Sequence, residues 1–362
     1  MNTEASPLVS VVLPVRNADC TVAAAIASVR RQTLADWELV AIDDGSTDAT
    51  PEKLAACARE DARVRIVSRP AEGVAAALNA GLAHARGRLI ARMDADDEAH
   101  PERLARQAAF LLAPENAGIG LVGCGVAYGG DRAANAGYAL HVDWMNALTT
   151  PEEIALHRFI ESPLAHPSVM FRRELVAAHG GYRGGDFPED YELWLRWLEA
   201  GVRMAKVPEM LLTWHDGPAR LSRTDARYRP AAFFAVKAPF VARWVERELK
   251  RRCEVNESTR ENGDAPPQPE VWVWGAGRPA RKRAAPVEAN GVRIAGFIDV
   301  DAKKTGRGVG GTGRPVIAPS ALPSVGKILV LGYVATRGAR ESIRGELRAR
   351  GYVEGRDFMM CA

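Results

Sequence analysis

The sequence predicts an α/β fold with a mostly parallel central sheet, followed by a second, smaller α/β domain. Short β-branched runs alternate with helical patterns from Leu8 to about Asp94, and this alternation is lost after Gly118. A new strand, glycine turn and helix begin near Val271. Because strand–helix alternation implies right-handed βαβ units, the first region should form a parallel sheet. A length of 362 residues also suits two domains better than one.

The elements of the first domain follow from hydrophobic periodicity. Strands are predicted in the runs LVSVVLP, WELVAID, VRIVS and RLIARMD, with amphipathic helices between them. Two of the helices are expected to begin at Pro51 and Val74. Thr50 before Pro51, and His100 before Pro101, place a proline at the first helical position, where its missing N–H costs nothing.

The later regions are less regular. Mixed strands are expected up to about residue 217, with a helix from Asp190 to Ala200 that carries two tryptophans. Residues 227–252 predict one or two helices with a break near Pro239, packed on the first domain through an aromatic face or, alternatively, lying on a membrane surface. The polar, proline-rich run ESTRENGDAPPQPE predicts a linker. The expected division is 1–225, a helical extension 226–253, a linker 254–269, and 270–362.

Composition restricts the class of protein. Apolar residues make up 47% and charged residues 26%, which is ordinary for a globular chain. A net charge of +3 does not produce an overall positive field that would attract nucleic acid, although Lys and Arg are concentrated after about residue 220. Five cysteines without a CxxC pair favour a reducing compartment, and the N-terminal segment has neither a signal-peptide pattern nor a membrane span. We therefore expect a cytoplasmic protein.

Acidic residues follow two of the predicted strands. In parallel sheets ligands bind at the carboxyl ends of strands, which here are residues 14–17, 43–48 and 94–97. Asp94, Asp96 and Asp97 could converge on one hard cation, since Mg²⁺ and Mn²⁺ take oxygen ligands from a few carboxylates and from substrate phosphates. Alternatively, Asp97 caps the next helix and the other acids are solvated.

Five motifs occur in a characteristic order. They are LPVRN, IDDGSTD, GVAAALNAGLAHARG, RLIARMDADD and HPERLARQ. Over about residues 8–225 the chain therefore resembles glycosyltransferase family 2, a group of inverting enzymes with the GT-A fold. The resemblance implies a GT-A type nucleotide-sugar-binding domain, a nucleotide-diphospho-sugar donor, a hydroxyl acceptor and a divalent metal, Mn²⁺ or Mg²⁺.

The resemblance also assigns donor-side and metal-side roles. Asp44 would accept a hydrogen bond from the nucleotide base of the donor, and Asp43 would support the ribose. Asp96 would be the main metal ligand. Arg16 departs from the family, which commonly has tyrosine there, and its cation could assist phosphate binding. The full donor-side set that the resemblance implies is Pro14, Arg16, Asn17, Asp43, Asp44, Asn79 and Asp94, and the metal-side set is Asp96, Asp97 and His215.

The acceptor side is implied by a second group of motifs. In Phe187-Pro-Glu-Asp190 the resemblance makes Asp190 the catalytic base, with Glu189 beside it. The alternative is that the two acids complement a helix N-terminus, worth roughly 0.3–1 kcal/mol each. His166, in a His-Pro-Ser motif, would shape the acceptor wall. His215 is followed by Arg220, in a segment where family members place a histidine near the metal and an arginine or serine near the diphosphate.

The C-terminal domain carries a glycine-rich turn. Gly275-x-Gly277-x-x-Ala280 follows a strand, and Asp299 ends the next strand, which fits a Rossmann-like dinucleotide fingerprint. Pro286 is expected to shorten the helix. The segment resembles small Rossmann-like modules appended to bacterial sugar-modifying enzymes. A packing or assembly domain without a ligand is the alternative, because fold does not imply function.

The sequence-based prediction is a metal-dependent, inverting glycosyltransferase. The family setting implies a saccharide or lipid-linked acceptor in polysaccharide or lipopolysaccharide assembly, and peripheral contact with the inner face of the membrane. One alternative is a nucleotidyltransferase, but PVRNADC after the first strand is not the basic, glycine-rich loop expected of that class. The other is a nucleotide-sugar-binding regulatory or scaffold protein without transfer activity.

Overall fold

The structure is a computed structural model that describes residues 6–217, 220–258, 269–306, 308–309 and 313–362. The chain forms two compact units. The first comprises Met1–Ala155 and Ser162–Arg227, and the second comprises Leu156–Glu161 and Tyr228–Ala362. Six residues from within the first region of the sequence therefore belong to the second unit.

The described part of the first unit contains an eight-stranded sheet. Its strands are β1 (Val9–Val15), β2 (Trp37–Asp44), β3 (Val64–Arg69), β4 (Leu89–Arg92), β5 (Glu98–Ala99), β6 (Ile119–Tyr128), β7 (Met170–Arg172) and β8 (Arg203–Trp214). The helices up to residue 227 are α1 (Val22–Arg30), α2 (Thr50–Glu60), α3 (Val74–His84), α4 (Arg103–Leu112), α5 (Ala136–Asn146), α6 (Pro151–His157), α7 (Glu174–His179), α8 (Glu189–Glu199) and α9 (Leu221–Thr224).

The strand order of this sheet is β3-β2-β1-β4-β7-β6-β8-β5. Strands β1 to β4 are parallel to their neighbours in the order β3-β2-β1-β4, and β6 is parallel to β8. Strand β7 is antiparallel to its neighbours β4 and β6, and β5 is antiparallel to β8. The mostly parallel sheet predicted from the alternation is confirmed, and the antiparallel pairs occur where the alternation is lost.

Two apolar clusters cover this sheet. One contains Val11, Leu13 and Ile26, and the other contains Val12, Ile42 and the helix α8 tryptophans Trp194 and Trp197. Val11 and Val12 belong to different clusters because successive side chains of a strand point to opposite faces. Both tryptophans are fully buried, so they anchor α8 in the core and fix the position of the residues at its N-terminus.

The second unit has a five-stranded, fully parallel sheet in its described residues. Its strands are β9 (Glu270–Trp274), β10 (Ile294–Ile298), β11 (Val316–Ile317), β12 (Ile328–Gly332) and β13 (Phe358–Met360), in the order β11-β10-β9-β12-β13. Its helices are α10 (Pro230–Ser258), α11 (Arg278–Ala289) and α12 (Ala339–Ala349). This topology fits the predicted Rossmann-like module.

Three proline-based expectations need correction. Helix α4 begins at Arg103 rather than Pro101, because the Pro101 carbonyl accepts from the Thr33 N–H instead of entering the helical ladder. Helix α10 continues through Pro239, whose neighbours on both sides are buried and hold the helix together. Helix α11 likewise continues through Pro286 to Ala289, since buried Ala284 and Val287 flank that proline.

The expected end of α10 also needs correction. The helix belongs to the second unit, in which it packs against α11. It extends to Ser258, which makes residues 254–258 helical rather than linker. The rest of the predicted linker, residues 259–268, lies outside the described residues. Among the described helices, none is long and apolar enough to cross a membrane.

Candidate active site

The carboxyl ends of β1 and β2 are joined by side-chain hydrogen bonds. Asn17 lies just after β1 with φ +50°, and its Oδ1 accepts from the Thr47 N–H at 2.8 Å. The Asn17 N–H donates to Ser46 Oγ at 3.0 Å. Asparagine tolerates this left-handed conformation better than most residues. Pro14 lies within β1, and the Arg16 side chain is exposed at the same edge.

Two buried carboxylates end β2. Asp43 Oδ1 accepts from the Ser46 N–H at 3.0 Å. Asp44 accepts from the N–H groups of Glu72 and Gly73 at 3.0 and 2.9 Å, and so fixes the start of α3. Gly45 between these loops has φ +69°, and a Cβ there would lie 2.8 Å from the Ala71 nitrogen. The sequence-predicted pair Asp43 and Asp44 therefore shapes the loops of this edge directly.

Asn79 links α3 to the loop that precedes α8. Its Nδ2 donates to the Tyr182 carbonyl at 2.8 Å, and its Oδ1 accepts from the Tyr182 N–H at 2.9 Å. Both halves of the amide are thus occupied by the backbone of one residue. In this structure Asn79 positions Tyr182, whereas the sequence-based prediction placed it on the donor side.

Three carboxylates converge after β4. Asp94, Asp96 and Asp97 each offer an oxygen, and these oxygens lie within 4.8 Å of one another. Asp97 is only 2% exposed. Its Oδ1 accepts from the His215 N–H at 3.0 Å, while its buried Oδ2 has no hydrogen-bond partner among the described residues. A buried oxygen without a donor is costly unless a cation or another donor binds it.

The electrostatics of this cluster favour a cation. Burial and the adjacent Asp94 raise the pKa of Asp96. Burial, Asp94 and Asp96 raise the pKa of Asp97 well above its usual range. Like charges this close disfavour ionisation, and an oxygen-seeking divalent cation would remove that penalty. The three acids therefore fit a Mg²⁺ or Mn²⁺ site.

His215 and Arg220 lie beside the acids. The His215 Nδ1 donates to the Asp96 carbonyl at 2.9 Å, so a neutral ring carries its lone pair on Nε2, the tautomer that a metal ligand needs. The imidazole itself is not among the mutually close ligand atoms of the acidic cluster. Arg220 stacks over the Trp214 ring at 4.3 Å, and its charge lowers the pKa of Asp96.

Arg92 is a buried charge beside the acidic residues that the sequence analysis missed. It is 4% exposed, forms an ion pair with Asp94, and its Nε has no hydrogen-bond acceptor among the described residues. Its charge also lowers the pKa of Asp190 and that of His166. The available signal was the arginine inside the apolar run LIARM, since a charge inside such a strand must be paired.

Asp190 and Glu189 lie at the N-terminus of α8. Burial and the neighbouring Glu189 raise the pKa of Asp190 to about 7, although the Tyr191 N–H and Arg92 oppose the shift. A carboxylate with a pKa near neutrality is well matched to accept a proton near pH 7. Glu189 is 3% exposed, so the charge beside Asp190 is poorly screened.

His166 forms part of a buried aromatic wall. Its Nε2 is 2.8 Å from the Tyr182 hydroxyl, and its ring lies 5.3 Å from the Tyr182 ring and 5.9 Å from the Trp194 ring. Burial and Arg92 lower the pKa of His166 well below its usual value, which keeps the ring neutral. Asp190 and Asp94 both influence the Tyr182 hydroxyl electrostatically, so this wall adjoins the two acidic groups.

The glycine turn of the second unit is internally satisfied. Gly275 has φ +118°, and Gly277 precedes α11. Asp299 Oδ2 accepts from the Ala276 N–H at 2.9 Å, and Lys304 Nζ lies 3.1 Å from the same oxygen. Asp299 Oδ1 accepts from the Asp301 N–H at 3.0 Å. The carboxylate predicted to meet a ribose thus holds the turn itself.

Comparisons with known proteins identify the family. Residues 10–180 match the model of glycosyl transferase family 2. The chain is 27% identical over 235 residues to the Escherichia coli O-antigen biosynthesis glycosyltransferase WbnJ, covering 64% of this chain and 88% of the relative. It is 32% identical over 227 residues to the glycosyltransferase EpsE of Bacillus subtilis, and the match covers 61% of this chain and 78% of the relative.

A solved structure supports the fold. The 1–349 fragment of S. aureus TarS in complex with UDP-GlcNAc matches with a TM-score of 0.52 and 18% identity, over 66% of each chain. That likeness shows a shared fold. The ordered motifs, the match to the family model and the match to EpsE identify this chain as a member of glycosyltransferase family 2.

Proposed function

We propose that this glycosyltransferase uses a divalent cation and inverts the configuration of the transferred sugar. The observation that carries the proposal is the convergence of Asp94, Asp96 and Asp97, with a buried Asp97 oxygen that has no partner among the described residues. Asp96 and Asp97 would hold Mn²⁺ or Mg²⁺, and His215 is available beside them through Nε2. When bound, the cation would neutralise charge on the departing diphosphate.

The donor would lie along the carboxyl edge of β1, β2 and β4. Asp43 and Asp44 present oxygens that still have free lone pairs after their backbone hydrogen bonds, which suits base and ribose recognition. Arg16 and Arg220 add cations near the phosphates. The resulting site is acidic where the cation binds and basic at its rim.

Asp190 would act as the general base. It takes the proton from the acceptor hydroxyl while that oxygen forms a bond to the anomeric carbon. The bond between the anomeric carbon and the phosphate oxygen breaks, and its electron pair leaves with the nucleoside diphosphate. Because the acceptor approaches from the face opposite the leaving group, the anomeric configuration inverts. The neutral His166 and Tyr182 would form the wall beside the acceptor.

The acceptor proposed is a saccharide or a lipid-linked saccharide used in cell-surface polysaccharide assembly. WbnJ is named for O-antigen biosynthesis. Another relative, 40% identical over 106 residues, is named as a glucosyltransferase that acts on a GlcNAc-diphosphoundecaprenol. That match covers 29% of this chain and 41% of the relative. A lipid diphosphate acceptor is therefore the first class to assay.

The test combines binding with product analysis. Calorimetry with a nucleoside diphosphate should detect binding that requires Mn²⁺ or Mg²⁺, and Asp96→Ala should abolish it. Asp36→Ala, an exposed acid at the opposite end of β2, is the matched control. NMR of the product should show a β-linkage from an α-linked donor. Metal-independent binding, or retention of configuration, would refute the proposal, and specific binding without transfer to any acceptor would favour a regulatory protein.

A further inference from the structure

The two units carry formal charges of opposite sign. The second unit contains 25 Lys and Arg residues against 15 Asp and Glu, which gives +10. The first unit contains 23 against 30, which gives −7. The net charge of +3 for the whole chain conceals this difference. An anionic surface would attract the second unit and repel the first.

Part of this positive charge lies on two adjacent helices. Helix α10 packs against α11 in the second unit. The exposed cations of α10 recur at positions i, i+4, i+7 and i+8, which places them on one side of the helix. The basic face is defined by these residues and by the exposed cations of α11, which outnumber the exposed Glu246 and Glu254 on the same side of α10; its cations are Arg243, Arg247, Lys250, Arg251, Arg278 and Lys282.

Helix α12 provides a contrasting surface. The β9–β10 and β12–β13 connections run in opposite directions along the sheet, so right-handed crossovers place α11 and α12 on opposite faces. Exposed cations also occur on the α12 side, at Arg337, Arg348 and Arg350. Arg348 and Arg350 are paired with Glu354 and Glu346, as Arg251 of the basic face is with Glu248. This second group allows a matched comparison with equal formal charge.

The apolar side of α10 is already used by the protein. Val241, Trp244 and Val245 are buried, and Lys237 Nζ donates to the carbonyls of Ile160 and Cys361 at 3.0 and 2.8 Å. These apolar side chains are therefore not available for insertion into a bilayer. The exposed side of the helix beside them would bind a surface mainly through its charges.

We propose that the basic face docks this protein on an anionic lipid bilayer. The proposal partly rests on the proposed function, because a lipid-linked acceptor would be presented at such a surface. Each Lys or Arg near an anionic bilayer contributes about 1 kcal/mol, equivalent to about fivefold in affinity. Nucleic acid fits this face less well, since Phe240 and Trp244, the aromatic residues nearest in sequence to its α10 cations, are buried and cannot stack on bases.

Vesicle flotation tests the proposal without transfer chemistry. The intact protein should float with vesicles of phosphatidylglycerol and phosphatidylcholine, but not with phosphatidylcholine alone. At about 1 M salt, where the Debye length falls to about 3 Å, binding should be lost. The triple variant Arg243→Gln, Arg247→Gln, Lys250→Gln should lose affinity on the order of 100-fold, and Lys250→Gln alone about fivefold.

The matched control is Arg337→Gln, Arg348→Gln, Arg350→Gln, which should bind vesicles nearly as well as the wild type. Circular dichroism would establish that each variant is folded. Equal losses in both triples, no flotation of the wild type at low salt, or preferential binding of polyuridylate over vesicles would overturn the proposal. Asp190→Asn should float normally, so a failure of the proposed transfer mechanism leaves this test intact.

Discussion

Asp190→Asn should separate chemistry from donor binding. The amide is nearly the same size as the carboxylate but cannot accept the acceptor's proton at neutral pH. A positioned general base contributes a factor on the order of 10²–10⁴, so turnover should fall by that amount. The dissociation constant of the donor should change little, because the acids that converge for the cation follow β4, whereas Asp190 begins α8.

The pH dependence gives a second measure of the same role. With a pKa of about 7, about one-eleventh of Asp190 is ionised at pH 6 and about ten-elevenths at pH 8, so kcat should rise about tenfold between them. Glu189 contributes to the raised pKa of Asp190. Glu189→Gln should therefore move the rise in kcat to lower pH while keeping most of the activity.

Folding stability should fall over the pH range in which the activity rises. The pKa of Asp190 is higher in the folded protein than in the unfolded chain, so the folded state binds its proton more tightly. Folding stability is then lost as pH rises from about 4 to 7, by at most about 4 kcal/mol for a shift of about three units. Asp190→Asn removes this loss and should raise the Tm at pH 8 in metal-free buffer.

The assay compares the wild type, Asp190→Asn and Glu189→Gln. The kcat and the donor Kd are measured at matched Mn²⁺ concentration, and the Tm is measured in metal-free buffer. Wild-type turnover in Asp190→Asn would refute the base assignment. So would a loss of donor affinity as large as the loss of rate. If Asp190→Asn were less stable than the wild type at pH 8, the ionised Asp190 carboxylate would be stabilising. That result would refute the electrostatic argument.

Three further substitutions test the packing around the site and within the second unit. Arg92→Met should lower stability by about 3–5 kcal/mol in denaturant unfolding and weaken donor binding, since it leaves the Asp94 side chain without its buried partner, and Arg92→Lys should restore part of both. Gly45→Ala should cost roughly 1–3 kcal/mol because of its positive φ and the nearby Ala71 nitrogen, whereas Gly137→Ala, with open space around it, should not. Lys237→Met should cost about 1–3 kcal/mol in thermal unfolding, because three buried carbonyls lose their donor.

The parallel part of the fold could be predicted from the sequence. The runs from Leu8 to Asp94 alternate strongly, and strand–helix periodicity is a local property of the chain. That Leu156–Glu161 belong to the second unit could not be predicted. Their position depends on the carbonyls of Phe159 and Ile160, which accept hydrogen bonds from Lys237, 78 and 77 residues later in the chain. Long-range backbone partners leave no periodic signal.

The site was predicted unevenly for a similar reason. Asp94, Asp96 and Asp97 adjoin in sequence, so their convergence could be expected from one turn. The partners of Asn79 and Arg92 depend on how separate elements pack. Asn79 meets the backbone of Tyr182, 103 residues later, and the sequence alone cannot distinguish that contact from a contact with a ligand.

Two aspartates that follow parallel strands show how similar sequence patterns differ physically. Asp299 accepts from two backbone N–H groups and pairs with Lys304, and although burial opposes the change, these contacts lower its pKa. Asp97 instead has a buried oxygen without a partner among the described residues, and burial and its acidic neighbours raise its pKa. Asp299 is stabilised as an anion by its own unit, so it needs no cation. Asp97 is not, and a cation supplied with the donor diphosphate would provide the missing charge, which is why we place the chemistry at the edge of the first sheet.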